Sequence, residues 1–165
     1  LINDDEISLT LPTQPRPDTN TDLGQLHASV RHAQIYSSIE RELFSVKARE
    51  ASLDEIQATV VRLDAELRAW HDGLRQEYSQ YHLPNGNNPR IRHNHYLYLQ
   101  HCFHGSLCVL HSVITQPWRG SRFQQSQDPA HVKQVQESSH IVAEASRSLI
   151  LNSQSNEISA ASPAW

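Results

Sequence analysis

The stretch from 52 to 81 constrains the fold of this chain more than any other. Ser52 and Glu55 form a Ser-x-x-Glu capping box, in which two side chains satisfy the free backbone N–H groups at a helix start. Leu53, Ile56, Val60, Leu63, Leu67, Trp70 and Leu74 follow at spacings of three and four, which places them on one helical face over three heptads. Asp64 and Arg68, four residues apart, are expected to pair on the exposed side. An apolar face of this length has to be covered. Either the helix lies on the core of its own domain, or it pairs with a partner as a coiled coil, for which three heptads is the minimum. The first reading needs nothing beyond this chain and is the simpler.

The remaining elements are read around that helix. Residues 22–48 form a helix with two apolar faces. Leu23, Leu26, Val30 and Ala33 lie on one, and Ile35, Tyr36, Ile39, Leu43 and Val46 on nearly the opposite one. Such a helix is either bent or covered on two sides. A turn over 82–88 holds Pro84, Asn85, Gly86 and Asn87. Asn88 and Pro89 then start a helix that runs to about Thr115, with Tyr96, Leu99, Phe103, Leu107, Leu110 and Ile114 as its buried stripe. Residues 116–128 read as a polar loop, and 129–151 as a weaker helix opened by Pro129. Val132, Val135, Ile141, Val142, Ala145, Leu149 and Ile150 are its apolar positions. At the amino end Ile7, Leu9 and Leu11 alternate with polar residues until Pro12, Pro15 and Pro17 stop the pattern, so 1–21 reads as an extended arm. The fold class is therefore all-α, an irregular array of about four helices with an extended N-terminal arm. Residues 1–151 form the helical domain, and the Ser/Asn/Ala-rich 152–165 is a linker or flexible end.

Composition limits the function. Hydrophobic residues are 38 % and charged residues 19 % of the chain, both low for a compact domain. A net charge of -4 gives no basic surface for phosphates, so this segment is not expected to contact DNA. The chain contains no methionine, even at position 1, and reads as part of a longer protein. Cys102 and Cys108 stand six residues apart on one helix, about 9 Å of rise, too far and too divergent for a disulfide. With no Asn-x-Ser/Thr site and no apolar run near the roughly 20 residues of a membrane span, an intracellular, reduced protein is expected.

Catalytic patterns are few. His101, His104, Cys108 and His111 fall on one strip of the third helix, all of them metal-ligand residue types. The strip is about 15 Å long, so at most two neighbours could share an ion, and His93 or His95 would have to supply another ligand. No Cys-x-x-Cys or His-Glu-x-x-His pattern accompanies them. The plainer reading is that they flank the buried stripe and hydrogen-bond to neighbouring helices. Cys108 is mid-helix, away from the helix N-terminus that would activate a thiol. Asp4, Asp5 and Glu6 read as a solvated loop. Trp70 completes the heptad face, and Trp118, after Pro117, is placed to plug a gap between helices. Either tryptophan could line a small-molecule pocket. No Gly-rich phosphate loop and no Gly-x-Ser-x-Gly turn is present.

Four stretches, in order, carry a resemblance. They are residues 2–12 (INDDEISLTLP), Ile35-Tyr36 followed by the Leu63 to Trp70 stretch with its Leu67-Arg68-Ala69-Trp70, residues 103–118 (FHGSLCVLHSVITQPW), and residues 142–147 (VAEASR). Together they resemble the middle homology region of fungal transcription factors that carry a six-cysteine binuclear zinc cluster. Leu83-Pro84 comes later than in that family, and His111-Ser112-Val113 replaces its His-Arg-Pro variant. The resemblance implies a nuclear regulator of RNA polymerase II transcription whose zinc and DNA contacts lie in an upstream cluster. It implies that this segment is an all-helical regulatory domain and not an enzyme, with no catalytic, cofactor-binding or metal residues of its own. Its partners would be DNA through the upstream domain, a protein partner or a second copy, and a small-molecule effector, with no membrane. Generic pairing through the 53–74 face is the alternative function, and a histidine metal site a further one.

Overall fold

The computed structural model describes residues 23–80, 89–118 and 121–154. The expected arm over 1–21, the turn over 82–88 and the residues 155–165 lie outside the described residues, and with them Asp4, Asp5, Glu6 and Trp165. Among the described residues the chain is all-α, with five α-helices and no strand. They are α1 (Leu23–Ile39), α2 (Leu53–Gln80), α3 (Pro89–Thr115), α4 (Ser121–Gln125) and α5 (Pro129–Gln154). Helix α3 is central. It packs along α5 most extensively and also meets α2 and α1.

The first helix is not continuous to residue 48. It ends at Ile39 and passes into a π-helical turn, Glu40–Phe44, and then a 3₁₀ turn, Lys47–Glu50. The wider π turn lets Leu43 and its neighbour Phe44 both reach the core, Leu43 only 6 % exposed. Val46, expected on the buried face, is 78 % exposed because the chain has left the helix by then. Ile35 and Ile39 are buried as their spacing requires, whereas Leu26 on the other face stays 37 % exposed. The sequence offered a bent helix or one covered on two sides; the α-helix instead ends at Ile39, and α1 packs on both α2 and α3.

Helix α2 begins at the capping box. The Ser52 N–H donates to Glu55 Oε2 at 2.8 Å, and the Glu55 N–H donates to Ser52 Oγ at 3.2 Å. Those bonds hold the Glu55 carboxyl below its usual range. The heptad face lies inside the molecule. Val60, Leu63 and Leu67 are fully buried, Leu74 nearly so, and Leu53, Ile56 and Trp70 pack on the same core. Each fully buried aliphatic side chain there contributes about 1.5–3 kcal/mol. The face is thus consumed within the chain and is not free to form a coiled coil.

Leu99, Phe103, Leu107, Leu110 and Ile114 of α3 are buried as expected, while Tyr96 is half-buried. The polar segment 116–128 is not wholly a loop. It contains α4, a single turn and a half that seats Phe123 in the core at 2 % exposure. Helix α5 opens on Asp128, whose Oδ1 accepts the Ala130 N–H at 2.8 Å, with Pro129 as the first helical residue. Its buried residues are His131, Gln134, Ser138 and Ala145, a mostly polar and small stripe, while Val132 and Ile150 are exposed. None of the described helices is long and apolar enough to cross a membrane.

Candidate functional site

The α3 strip does not converge. His101 Nδ1 lies 2.9 Å from the Leu97 carbonyl of its own helix, and Cys108 Sγ lies 3.6 Å from Ser146 Oγ of α5. His104 sits edge-on to Phe103, with ring centroids 5.1 Å apart, and its Nδ1 is buried without a partner among the described residues. His111 turns into the core at 2 % exposure. Among the described residues no three His, Cys, Asp or Glu side chains are grouped to hold a metal ion. Of the two supplementary ligands expected, His95 meets Ser29 Oγ at 3.4 Å, and the side chain of His93 lies outside the described residues.

The histidines act as pins between helices. Asp64, expected on the exposed side, instead reaches His111, whose Nε2–H donates to Asp64 Oδ1 at 3.2 Å. On the far side of the ring the Ser138 hydroxyl lies 2.9 Å from His111 Nδ1 and itself accepts from Gln134 Nε2 at 3.1 Å. That assignment gives one directional chain, Gln134 to Ser138 to His111 to Asp64, joining α5, α3 and α2. Arg68 closes it with a 2.6 Å bond to Asp64 Oδ2. Burial raises the Asp64 carboxyl, but the bonds from His111 and Arg68 outweigh it and hold the group below its ordinary value. A similar pin joins His131 of α5 to Asp54 of α2 at 3.0 Å and to Ser126 at 2.8 Å. His71 donates to Gln100 Oε1 at 2.9 Å and stacks on Phe103 with centroids 3.8 Å apart. His32 meets Ser106 Oγ at 2.8 Å, and Trp70 Nε1–H donates to the Ala28 carbonyl at 3.1 Å. Burial lowers the pKa of His32, His71 and His104, which keeps these rings neutral at neutral pH.

Ser138, His111 and Asp64 have the composition of a catalytic triad but not its access. Ser138 is fully buried in mid-helix, so its hydroxyl cannot meet a substrate. The group is a structural link.

The open site lies elsewhere. A cleft of about 390 Å³ opens where the π and 3₁₀ turns, the start of α2, the end of α3 and the segment through α4 meet. Leu43, Phe44, Leu53, Ile56, Val113 and Phe123 form its apolar walls. Arg49 and Arg122 supply its charge. The Ala48 N–H bonds to Ser45 Oγ at 3.3 Å, which shapes the 3₁₀ turn that carries Arg49. Arg122 Nη1 donates to the Ala51 carbonyl at 2.9 Å, which ties α4 to the start of α2. Trp118 lines the cleft but is 75 % exposed, so it does not plug a gap between helices. Of these residues the sequence offers only Trp118 as a pocket candidate, with Leu43, Leu53 and Ile56 read as helix-face residues. Arg49 stands far in sequence from the adjacent Arg122 and Phe123, and no spacing rule joins them.

Over 121 residues the chain is 27 % identical to an ABC-transporter-regulating transcription factor of Aspergillus fumigatus. The match covers 67 % of this chain but 13 % of that protein's length. No family model matches the chain, and no solved structure matches it. The chain is thus similar to a segment of a fungal transcription factor. The described cysteines do not fit a six-cysteine zinc cluster, since Cys102 and Cys108 are two free thiols on one helix.

Proposed function

We propose that this chain is a regulatory segment of a fungal transcription factor of the binuclear zinc-cluster class, acting in the nucleus on RNA polymerase II transcription. The observation that carries the reading is the similarity to the Aspergillus fumigatus regulator, which falls on an all-helical chain of net charge -4. A net charge of -4 gives the chain as a whole no general attraction for DNA phosphates. DNA contact and zinc belong to an upstream domain in this reading. In this reading the segment is a regulator and not an enzyme, and the Ser138–His111–Asp64 chain serves as a link between helices. Pairing through the 53–74 face is not favoured, because that face forms the core.

The test is a fusion. Residues 1–165 are placed between a heterologous DNA-binding domain and an acidic activation domain, and a reporter is read in a fungal host. The segment is expected to change output by about five-fold or more, the low end of coupling between sites. The chain alone is expected not to retard DNA at physiological salt. Unchanged output from a well-expressed fusion, or retardation by the chain itself, would count against the proposal.

A further inference from the structure

We infer that the cleft beside Trp118 binds a small amphipathic anion, an organic acid with an apolar body and one carboxylate or equivalent acidic head. The inference rests on the geometry of the cleft and stands apart from the transcriptional reading. Its volume of about 390 Å³ falls within the roughly 300–1,000 Å³ of small-molecule sites, which suits a single compact ligand.

The chemistry of the walls selects the ligand. Eleven residues line the cleft, and they include two arginines and no carboxylate, in a chain whose net charge is -4. The Arg49 guanidinium is exposed and has no partner among the described residues. Arg122 uses Nη1 on the Ala51 carbonyl, which fixes the side chain and leaves other N–H groups of its fork. A guanidinium fork matches a carboxylate in shape as well as in charge. Phe44, Phe123 and the exposed Trp118 ring provide the aromatic and apolar surface for the body of the ligand. The adjoining hollow on the other side of the 3₁₀ turn offers a contrast. It carries Arg41 and Lys47 together with Glu42, Glu50 and Glu55, so it has no preference of sign. The location is also apt, because the cleft is built on a π turn, a 3₁₀ turn and the five-residue α4. π turns inside helical proteins recur at functional positions.

The experiment titrates the 165-residue chain with octanoate, octanol and octylammonium below their micelle concentrations, by calorimetry and by tryptophan fluorescence. Octanoate is expected to bind at one saturable site, about tenfold or more tighter than octanol, with octylammonium weaker still. Arg49→Gln, an exposed and unpaired position, is expected to remain folded by circular dichroism. It should lower octanoate affinity by about tenfold and leave octanol unchanged. Trp118→Ala should weaken both ligands. Equal binding of octanoate and octanol, unsaturable binding, or an Arg49→Gln variant with unaltered octanoate affinity would overturn the proposal.

Discussion

His111 shows how a side chain of ambiguous chemistry becomes structural. It is 2 % exposed, with Asp64 on one nitrogen and Ser138 on the other. Removing it would leave a half-buried carboxylate and a buried hydroxyl each short of a partner, and would open a void. Breaking a buried polar link from one side costs about 3 kcal/mol or more, well above a surface change. His111→Ala is therefore expected to lower the unfolding free energy by about 3 kcal/mol in urea titration. A loss under about 0.5 kcal/mol, the range of an ordinary surface substitution, would mean the chain of bonds contributes nothing. The sequence shows His111 at a helical spacing from His104 and Cys108 and so raises a metal site. It does not show which way each ring turns. Its partners stand 47 and 27 residues away, so only the packing of α2 and α5 against α3 reveals its role.

At the scale of elements, α2 is the best defined by sequence and α1 the least. The capping box and heptad face of α2 are both present as bonds and burial. What periodicity left open was whether the cover came from this chain or from another. Leu67 is fully buried among residues of the same chain. Leu67→Asp would bury an unpaired charge, at a cost of several kcal/mol. Its expected result is loss of helical circular dichroism, since the domain core itself is broken. A variant that stays fully helical and only shifts from dimer to monomer in sedimentation would show that α2 is an intermolecular face. The π turn after Ile39 was not legible, because periodicity cannot mark where one extra residue enters a turn. Helix α4 was missed for a different reason. Phe123 is one apolar residue among polar ones, and its burial beside His131 depends on α5 being in place. In α5 the apolar positions were a partial guide: Ala145 is buried and Val135 and Ile141 pack on the core, while Val132 and Ile150 are exposed and the polar His131, Gln134 and Ser138 complete the buried stripe.

At the scale of the whole molecule, the chain is a helical array of net negative charge whose described residues include interior histidine links and a cleft of mixed apolar and cationic lining. The helical class was legible from periodicity and the net negative charge from composition. The cleft was not, because it is assembled by tertiary packing from segments around residues 43–56 and 113–123. The central claim is that this array is the middle part of a regulator whose DNA contacts lie elsewhere. The most direct measurement is the complete transcript, read upstream of Leu1. Six closely spaced cysteines followed by basic residues, in frame with Leu1, are the expected result. A complete upstream frame without such a cluster would contradict the zinc-cluster assignment.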